Sequence, residues 1–314
     1  MCLVTSQALK AEKKHLGFGF DNEKVSVSIP FSSYKNLIII EAVLDNDQKL
    51  NLILDTGIRS LVLFDQSYIP KVSDNTFDIE FSGAGEPTPI KAIVSIGHDL
   101  RLSTDVVANQ INAVLLDKSN RYLHELGGIK VDGAFGYQLF ARFQVKIDYG
   151  NQMITLSEPD RSPCLKGFEQ VPMSIHDTKP FIESSFLMSK NLWKNFTLLL
   201  DLGANHKILL LDRHNIKGTV GYISDIQRIA EGLGGSIYGR KGIAKTIKIG
   251  NVQFNNTEML LPTKDTYHRE SIDGVSKQGS IGGRFFENST VILDYINGLF
   301  YIKSPLNCPE RKIC

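Results

Sequence analysis

Cysteine is scarce in this chain, with four residues in 314: Cys2, Cys164, Cys308 and Cys314. No Cys-x-x-Cys pair or Cys/His cluster occurs, which argues against a structural zinc site. Only Cys308 and Cys314, six apart, are spaced to close a small disulfide loop in an oxidising compartment. Charge of one sign is equally lacking. Lys and Arg number 35 against 34 Asp and Glu, a formal net charge of +1, and no long basic block forms. Nucleic acid and polybasic membrane contact are therefore not expected. No apolar run reaches the roughly 18 residues of a membrane span. The Gly-x-Ser-x-Gly elbow of a serine hydrolase is missing, and His98, His206, His214 and His268 are scattered. Gly17–Phe20 and Gly232–Gly235 are glycine-rich, but neither has the strand–loop–helix setting of a phosphate loop.

The N-terminus is ambiguous. Ala8-Leu9-Lys10-Ala11 fits the small-x-small pattern of a signal-peptide cleavage site. The apolar stretch before it is short and no positive segment leads it. Two readings stand: the tail of an export signal, which would place the protein in the periplasm, the envelope or the medium, and an ordinary frayed terminus.

What is present is strand signal. Alternating or continuous apolar runs occupy 25–31, 37–44, 50–54, 76–83, 90–97, 143–148 and 153–156. A second series follows at 181–188, 196–200, 244–250, 290–294 and 299–303. Helix-like windows are few, the candidates being 120–126 and 224–231. The chain is predicted mainly β. Between the two series, 157–168 carries two prolines and several polar residues and suits a linker.

The series repeat each other. LNLILDTGIRSLVLF (50–64) matches FTLLLDLGANHKILLL (196–211), and DGAFGYQLFARFQVKIDY (132–149) matches QGSIGGRFFENSTVILDY (278–295). Asp55 and Asp201, Gly136 and Gly282, and Asp148 and Asp294 are each 146 positions apart. One β unit used twice explains three anchors with one offset. An element near a two-fold axis meets its own copy, so the expected partner of Asp55, set between apolar runs, is Asp201. Asp148 and Asp294, each before a tyrosine and a turn, are read as structural.

The Asp-Thr-Gly of Asp55, Thr56 and Gly57 in an apolar strand, the second Asp-x-Gly at Asp201, Leu202 and Gly203, and the Gly133–Gly136 and Gly279–Gly282 segments resemble the pepsin–retropepsin superfamily of aspartic peptidases. The chain is most similar in pattern to its single-chain, retropepsin-like bacterial members. The resemblance covers roughly residues 20–304. It implies two homologous β-barrel-like lobes about a pseudo-two-fold axis with the active-site cleft between them. The lobes would be 17–158 and 167–304, joined by 159–166, with an N-terminal extension of 1–16 and a tail of 305–314.

The same resemblance implies an endopeptidase with Asp55 and Asp201 as its catalytic pair. Gly57 and Gly203 would allow the tight turns after them, and Thr56 would hydrogen-bond across the axis. Leu202 departs from the pattern, because half of the reciprocal threonine bond is missing. Ile58 and Ala204 carry no hydroxyl, so no side chain there reaches the outer carboxylate oxygens. The flap candidates are Gly83, Ala84 and Gly85 in the first copy and Gly234 and Gly235 in the second, since glycine suits a mobile hairpin tip. Two carboxylates about 3 Å apart share one proton and activate a water between them. The implied enzyme needs no cofactor or metal, takes an extended peptide or protein as substrate, and is complete as a monomer.

Overall fold

The alternating runs fold as strands because β-branched and aromatic side chains pack well on a pleated, half-buried surface. The computed structural model describes residues 15–45, 47–69, 76–81, 90–117, 125–126, 128–161, 164–189, 191–211, 220–232, 235–263, 271–272 and 274–303. The chain is mainly β and its sheets are barrel-like. In the first half six strands form a ring through hydrogen-bonded neighbours, in the order Val106–Leu116, Leu61–Leu63, Gly133–Phe135, Gln48–Leu54, Leu37–Leu44 and Ile90–Ser103, which returns to Val106–Leu116. In the second half a ring of the same order runs through Val252–Pro262, Ile208–Leu210, Gly279–Gly282, Leu192–Asp201, Lys179–Ser189 and Gly235–Ile249.

The registers repeat as well as the order. Gly133 pairs in parallel with Leu52, and Gly279 with Leu198, both shifted by 146. A run of six strands, Ser26–Pro30, Met153–Ser157, Gln144–Asp148, Thr290–Asp294, Leu299–Lys303 and Glu169–His176, three from each half, joins the second ring through the pairing of Glu169–His176 with Lys179–Ser189. At its centre Lys146 faces Ile292, again 146 positions away. The flanking pairs, Val145 with Leu293 and Ile147 with Val291, exchange under the same shift. One core cluster of buried residues runs through both halves, from Phe18 to Ile302.

The 224–231 window is not helical. Gln227–Gly232 is a strand paired with Gly235–Gly239 in a hairpin, and cross-strand pairing there overrides local helix preference. Of the 120–126 window, Glu125–Leu126 is a strand and the rest lies outside the described residues. Among the described residues, short helix occurs instead as the 3-10 turn Gln66–Tyr68 and at two matching places, Tyr137–Phe140 and the 3-10 turn Gly283–Phe286, each directly after a Gly136 or Gly282 cap. Cys164 is exposed, while Cys2, Cys308 and Cys314 lie outside the described residues. Among the described residues no helix is long and apolar enough to cross a membrane.

Candidate functional site

The strand Gln48–Leu54 is buried at Leu52, Ile53 and Leu54 because it runs between two neighbours. It ends at Asp55, whose N–H donates to the Phe135 carbonyl at 2.8 Å. The chain then turns. Ile58 N–H donates to the Asp55 carbonyl (3.3 Å), and Tyr137 N–H donates to the Ile58 carbonyl (2.9 Å). The second copy closes in the same way, with Ala204 N–H on the Asp201 carbonyl (3.1 Å) and Gly283 N–H on the Ala204 carbonyl (2.8 Å). Close approach dictates glycine behind these turns. A Cβ on Gly136 would lie 1.7 Å from the Asp55 carbonyl oxygen, and one on Gly282 would lie 2.3 Å from the His206 carbonyl oxygen.

The two aspartate loops meet. Gly57 N–H donates to Asp55 Oδ1 at 2.7 Å. The point where a Gly57 Cβ would sit is 3.1 Å from Asp55 Oδ1 and 3.9 Å from Asp201 Oδ1. The corresponding point on Gly203 is 2.2 Å from Asp55 Cγ, so the second copy's glycine lies against the first copy's carboxylate. Thr56, buried, clasps the other loop: its hydroxyl donates to the Leu200 carbonyl at 2.6 Å and accepts from Leu202 N–H at 3.0 Å. Leu202 returns no such bond. Its side chain is buried in the shared core, and packing takes the place of the second clasp.

Both aspartates are half-buried, which leaves them a path to solvent. Their carboxyl groups are nevertheless poorly hydrated. Burial, and then the Asp201 charge, push Asp55 up to about 7, against the backbone donors Gly57 and Gly203 and the Lys179 charge. Burial also raises Asp201, while Lys277 and Lys179 pull it down. A coupled pair of this kind holds one proton between its members over a wide pH range. His206 is buried with Nε2 2.9 Å from Ser280 Oγ, and burial followed by the Lys277 charge lowers it to about 4, so it is neutral at ordinary pH.

An alanine at position 203 tests this interleaving directly. Its methyl must displace the Asp55 carboxylate, 2.2 Å away at Cγ, whereas one at position 57 lies 3.1 Å from Asp55 Oδ1, a tight contact that a small shift of the carboxylate relieves. Gly203→Ala is expected to cost about 1–3 kcal/mol in urea unfolding, and Gly57→Ala clearly less. Equal costs would contradict the geometry.

Of the flap candidates, Gly235 begins a strand directly opposite Gly232, at the end of the hairpin of Gln227–Gly232 and Gly235–Gly239. Gly234, Gly83, Ala84 and Gly85 lie outside the described residues. The strands Thr76–Phe81 and Ile90–Ser103, which flank 82–89, form the corresponding hairpin of the first half. Asp148 and Asp294 hold turns. Each accepts from the backbone and side-chain nitrogens of the asparagine three residues on, Asn151 and Asn297.

Two supports went unrecognised in the sequence. Asp132 accepts from Asn51 N–H (2.8 Å) and Lys130 Nζ (2.7 Å) and from the Tyr68 hydroxyl, and its counterpart Gln278 accepts from Thr197 N–H (2.7 Å). Each braces the aspartate-bearing strand four residues before its aspartate. The 146 spacing of Asp132 and Gln278 was the available signal. Asp45, His98 and Ser95 also come together, His98 Nδ1 lying 2.7 Å from Asp45 Oδ2 and Nε2 2.8 Å from Ser95 Oγ. Ser95 is only 2% exposed, so no substrate reaches its oxygen, and the trio locks two strands at a register shift. A groove of about 610 Å³ is lined by Glu41, Lys49 and Arg101 among others, with neither aspartate in its lining. Among the described residues no cluster of three or more His, Cys, Asp or Glu is placed to hold a metal ion.

No protein-family model matches this chain, and no curated protein matches its sequence.

Proposed function

We propose that this chain is an aspartic endopeptidase, built as two homologous lobes about a pseudo-two-fold axis in the manner of the pepsin–retropepsin superfamily. The observation that carries the reading is the convergence of Asp55 and Asp201 on one point, with the Thr56 clasp joining their loops. Support for the axis comes from the central strand pair, whose register maps onto itself under a shift of 146.

Peptide hydrolysis follows from a shared proton. The ionised carboxylate takes a proton from a water lying between the pair, and the water oxygen bonds to the scissile carbonyl carbon. The protonated carboxyl gives its proton to the carbonyl oxygen. The tetrahedral diol then collapses as the newly protonated carboxyl gives its proton to the nitrogen, the C–N bond breaks, and a diol proton passes to the other carboxylate, which releases acid and amine and leaves one proton on the pair. The half-buried setting favours this chemistry, because low hydration keeps the two carboxyls from both ionising. A second reading, a protein of the same build that binds extended peptides without cutting them, is favoured by one feature, the missing hydroxyl at Leu202.

The deciding experiment incubates the full chain with an unstructured protein substrate between about pH 3 and 8, the span of plausible pair ionisation, and reads products by mass spectrometry. Internal cleavage is expected, insensitive to chelators and to serine- or thiol-directed reagents. A peptide isostere with a secondary hydroxyl at the scissile position should block it as a transition-state mimic. Binding without products selects the second reading. Cleavage abolished by a chelator defeats the aspartic mechanism.

A further inference from the structure

The two halves differ in charge where they are alike in register. In the first half Ile39 pairs with Ile53 and Ile40 with Leu52; continued two residues, this ladder sets Leu37 across from Asp55. In the second half Phe181 pairs with Leu199 and Ile182 with Leu198, and the same continuation sets Lys179 across from Asp201. Both strands end there, since Lys179 opens Lys179–Ser189 and Asp201 closes Leu192–Asp201. Residues facing each other on antiparallel strands have Cα atoms about 5 Å apart. The preceding turns also correspond: Lys35-Asn36 and Asp177-Thr178 are two-residue turns with positive φ at both positions, followed by Leu37 and Lys179. Leu37 is buried at 6%, whereas the Lys179 side chain keeps 27% of its surface.

We infer that Lys179 is a positioning residue of the aspartate pair, a positive charge that the second half sets beside Asp201 and that the first half, with Leu37, does not supply. The inference rests on the peptidase reading for its catalytic meaning. Pro180 holds Lys179 extended, because a residue before proline is steered away from helical backbone. The charge acts on both carboxylates, favouring their ionised forms. Other charged groups complete the surroundings. Lys277, two residues before Gly279–Gly282, acts on Asp201 in the same sense. Asp177 lies 3.3 Å from Lys179 Nζ, but its side chain is 52% exposed and screened by water. Buried His206 is neutral over the relevant range, and the Tyr295 hydroxyl is held protonated by burial and then by the Asp55 charge. Lys179 therefore belongs to the copy whose loop side chain, Leu202, makes no hydrogen bond, and it steadies the Asp201 carboxylate by charge.

The test compares Lys179→Met and Lys179→Arg with the parent chain. The pH profile of kcat/KM for a neutral peptide is expected to move bodily to higher pH in Lys179→Met, by about half a unit or more. That is roughly a threefold loss on the acid limb. Lys179→Arg should keep the parent profile. A uniform loss at every pH with no displacement overturns the inference, as does an unmoved profile. Carboxyl-carbon NMR titration of aspartate-labelled protein reads the same displacement without turnover, with Asp201→Asn used for assignment. If the parent chain cuts no peptide, the peptidase reading fails by itself, and the titration still decides: carboxyl midpoints raised in Lys179→Met and not in Lys179→Arg sustain the charge role, and unchanged midpoints end it.

Discussion

On the peptidase reading, Asp55→Asn and Asp201→Asn are each expected to lower kcat/KM for peptide cleavage by about 10³-fold or more, while circular dichroism and unfolding cooperativity stay as in the parent chain. The size follows from removing a positioned acid–base group, which alone is worth about 10²–10⁴-fold, from a pair that works only as a unit. An asparagine in either place cannot take a proton from water or share one with its neighbour. Near-full activity in either variant would remove the pair from the mechanism.

The same substitution at Asp55 carries a stability signature. Its carboxyl titrates near 7 in the folded chain against 3.8 as the unperturbed value. Because the folded value is raised, the unfolded chain releases its proton first, and stability falls as pH climbs from about 4 to about 7, then levels. The difference between the parent and Asp55→Asn in urea unfolding should therefore move in favour of the variant across that window, by about 2 kcal/mol after allowance for partial exposure. A difference that is flat with pH would show that Asp55 is not held in a poorly hydrated, like-charged site.

The second large effect is at Thr56. Thr56→Val keeps shape and volume but leaves the Leu200 carbonyl and the Leu202 N–H without their partner, both at a buried junction. An unpaired buried polar group costs about 1–3 kcal/mol, so a loss of about 2–4 kcal/mol in urea unfolding is expected. Nothing on the other side compensates, since Leu202 has no hydroxyl to return. A loss below about 0.5 kcal/mol would mean that core packing alone joins the loops. Cleavage should weaken in parallel, because the clasp fixes the distance between the loops that carry Asp55 and Asp201.

Much of this was legible in the residues. Strands at 37–44, 153–156 and 299–303 lie where the apolar runs set them: Leu37–Leu44 and Leu299–Lys303 bury three or four residues in succession, as a strand covered on both faces does, and Met153–Ser157 begins with alternation. The long strands Val106–Leu116 and Val252–Pro262 went unread. Both carry polar residues, Asn109 and Gln110 in one and Asn255 and Asn256 in the other, that break the alternation. They pair along most of their length regardless. The window 224–231 was misread for the converse reason, as its local preference for helix yields to a hairpin partner.

The sequence by itself determined the duplication and the expectation that Asp55 meets Asp201, because a repeat with a constant offset states symmetry without coordinates, whereas the place of Thr56 was what the family resemblance implied. Only the tertiary structure decided how unequal the copies are. Register, not sequence distance, brings Phe181 across from Leu199 and Ile39 across from Ile53, and so carries Lys179 toward Asp201 and Leu37 toward Asp55 two residues further on. Both Thr56 and Leu202 are buried, and the fold uses Thr56 for hydrogen bonds to the other loop and Leu202 for core packing. Those outcomes depend on which strand edges meet and which groups lose their water, and both are properties of the assembled rings rather than of any one run of residues.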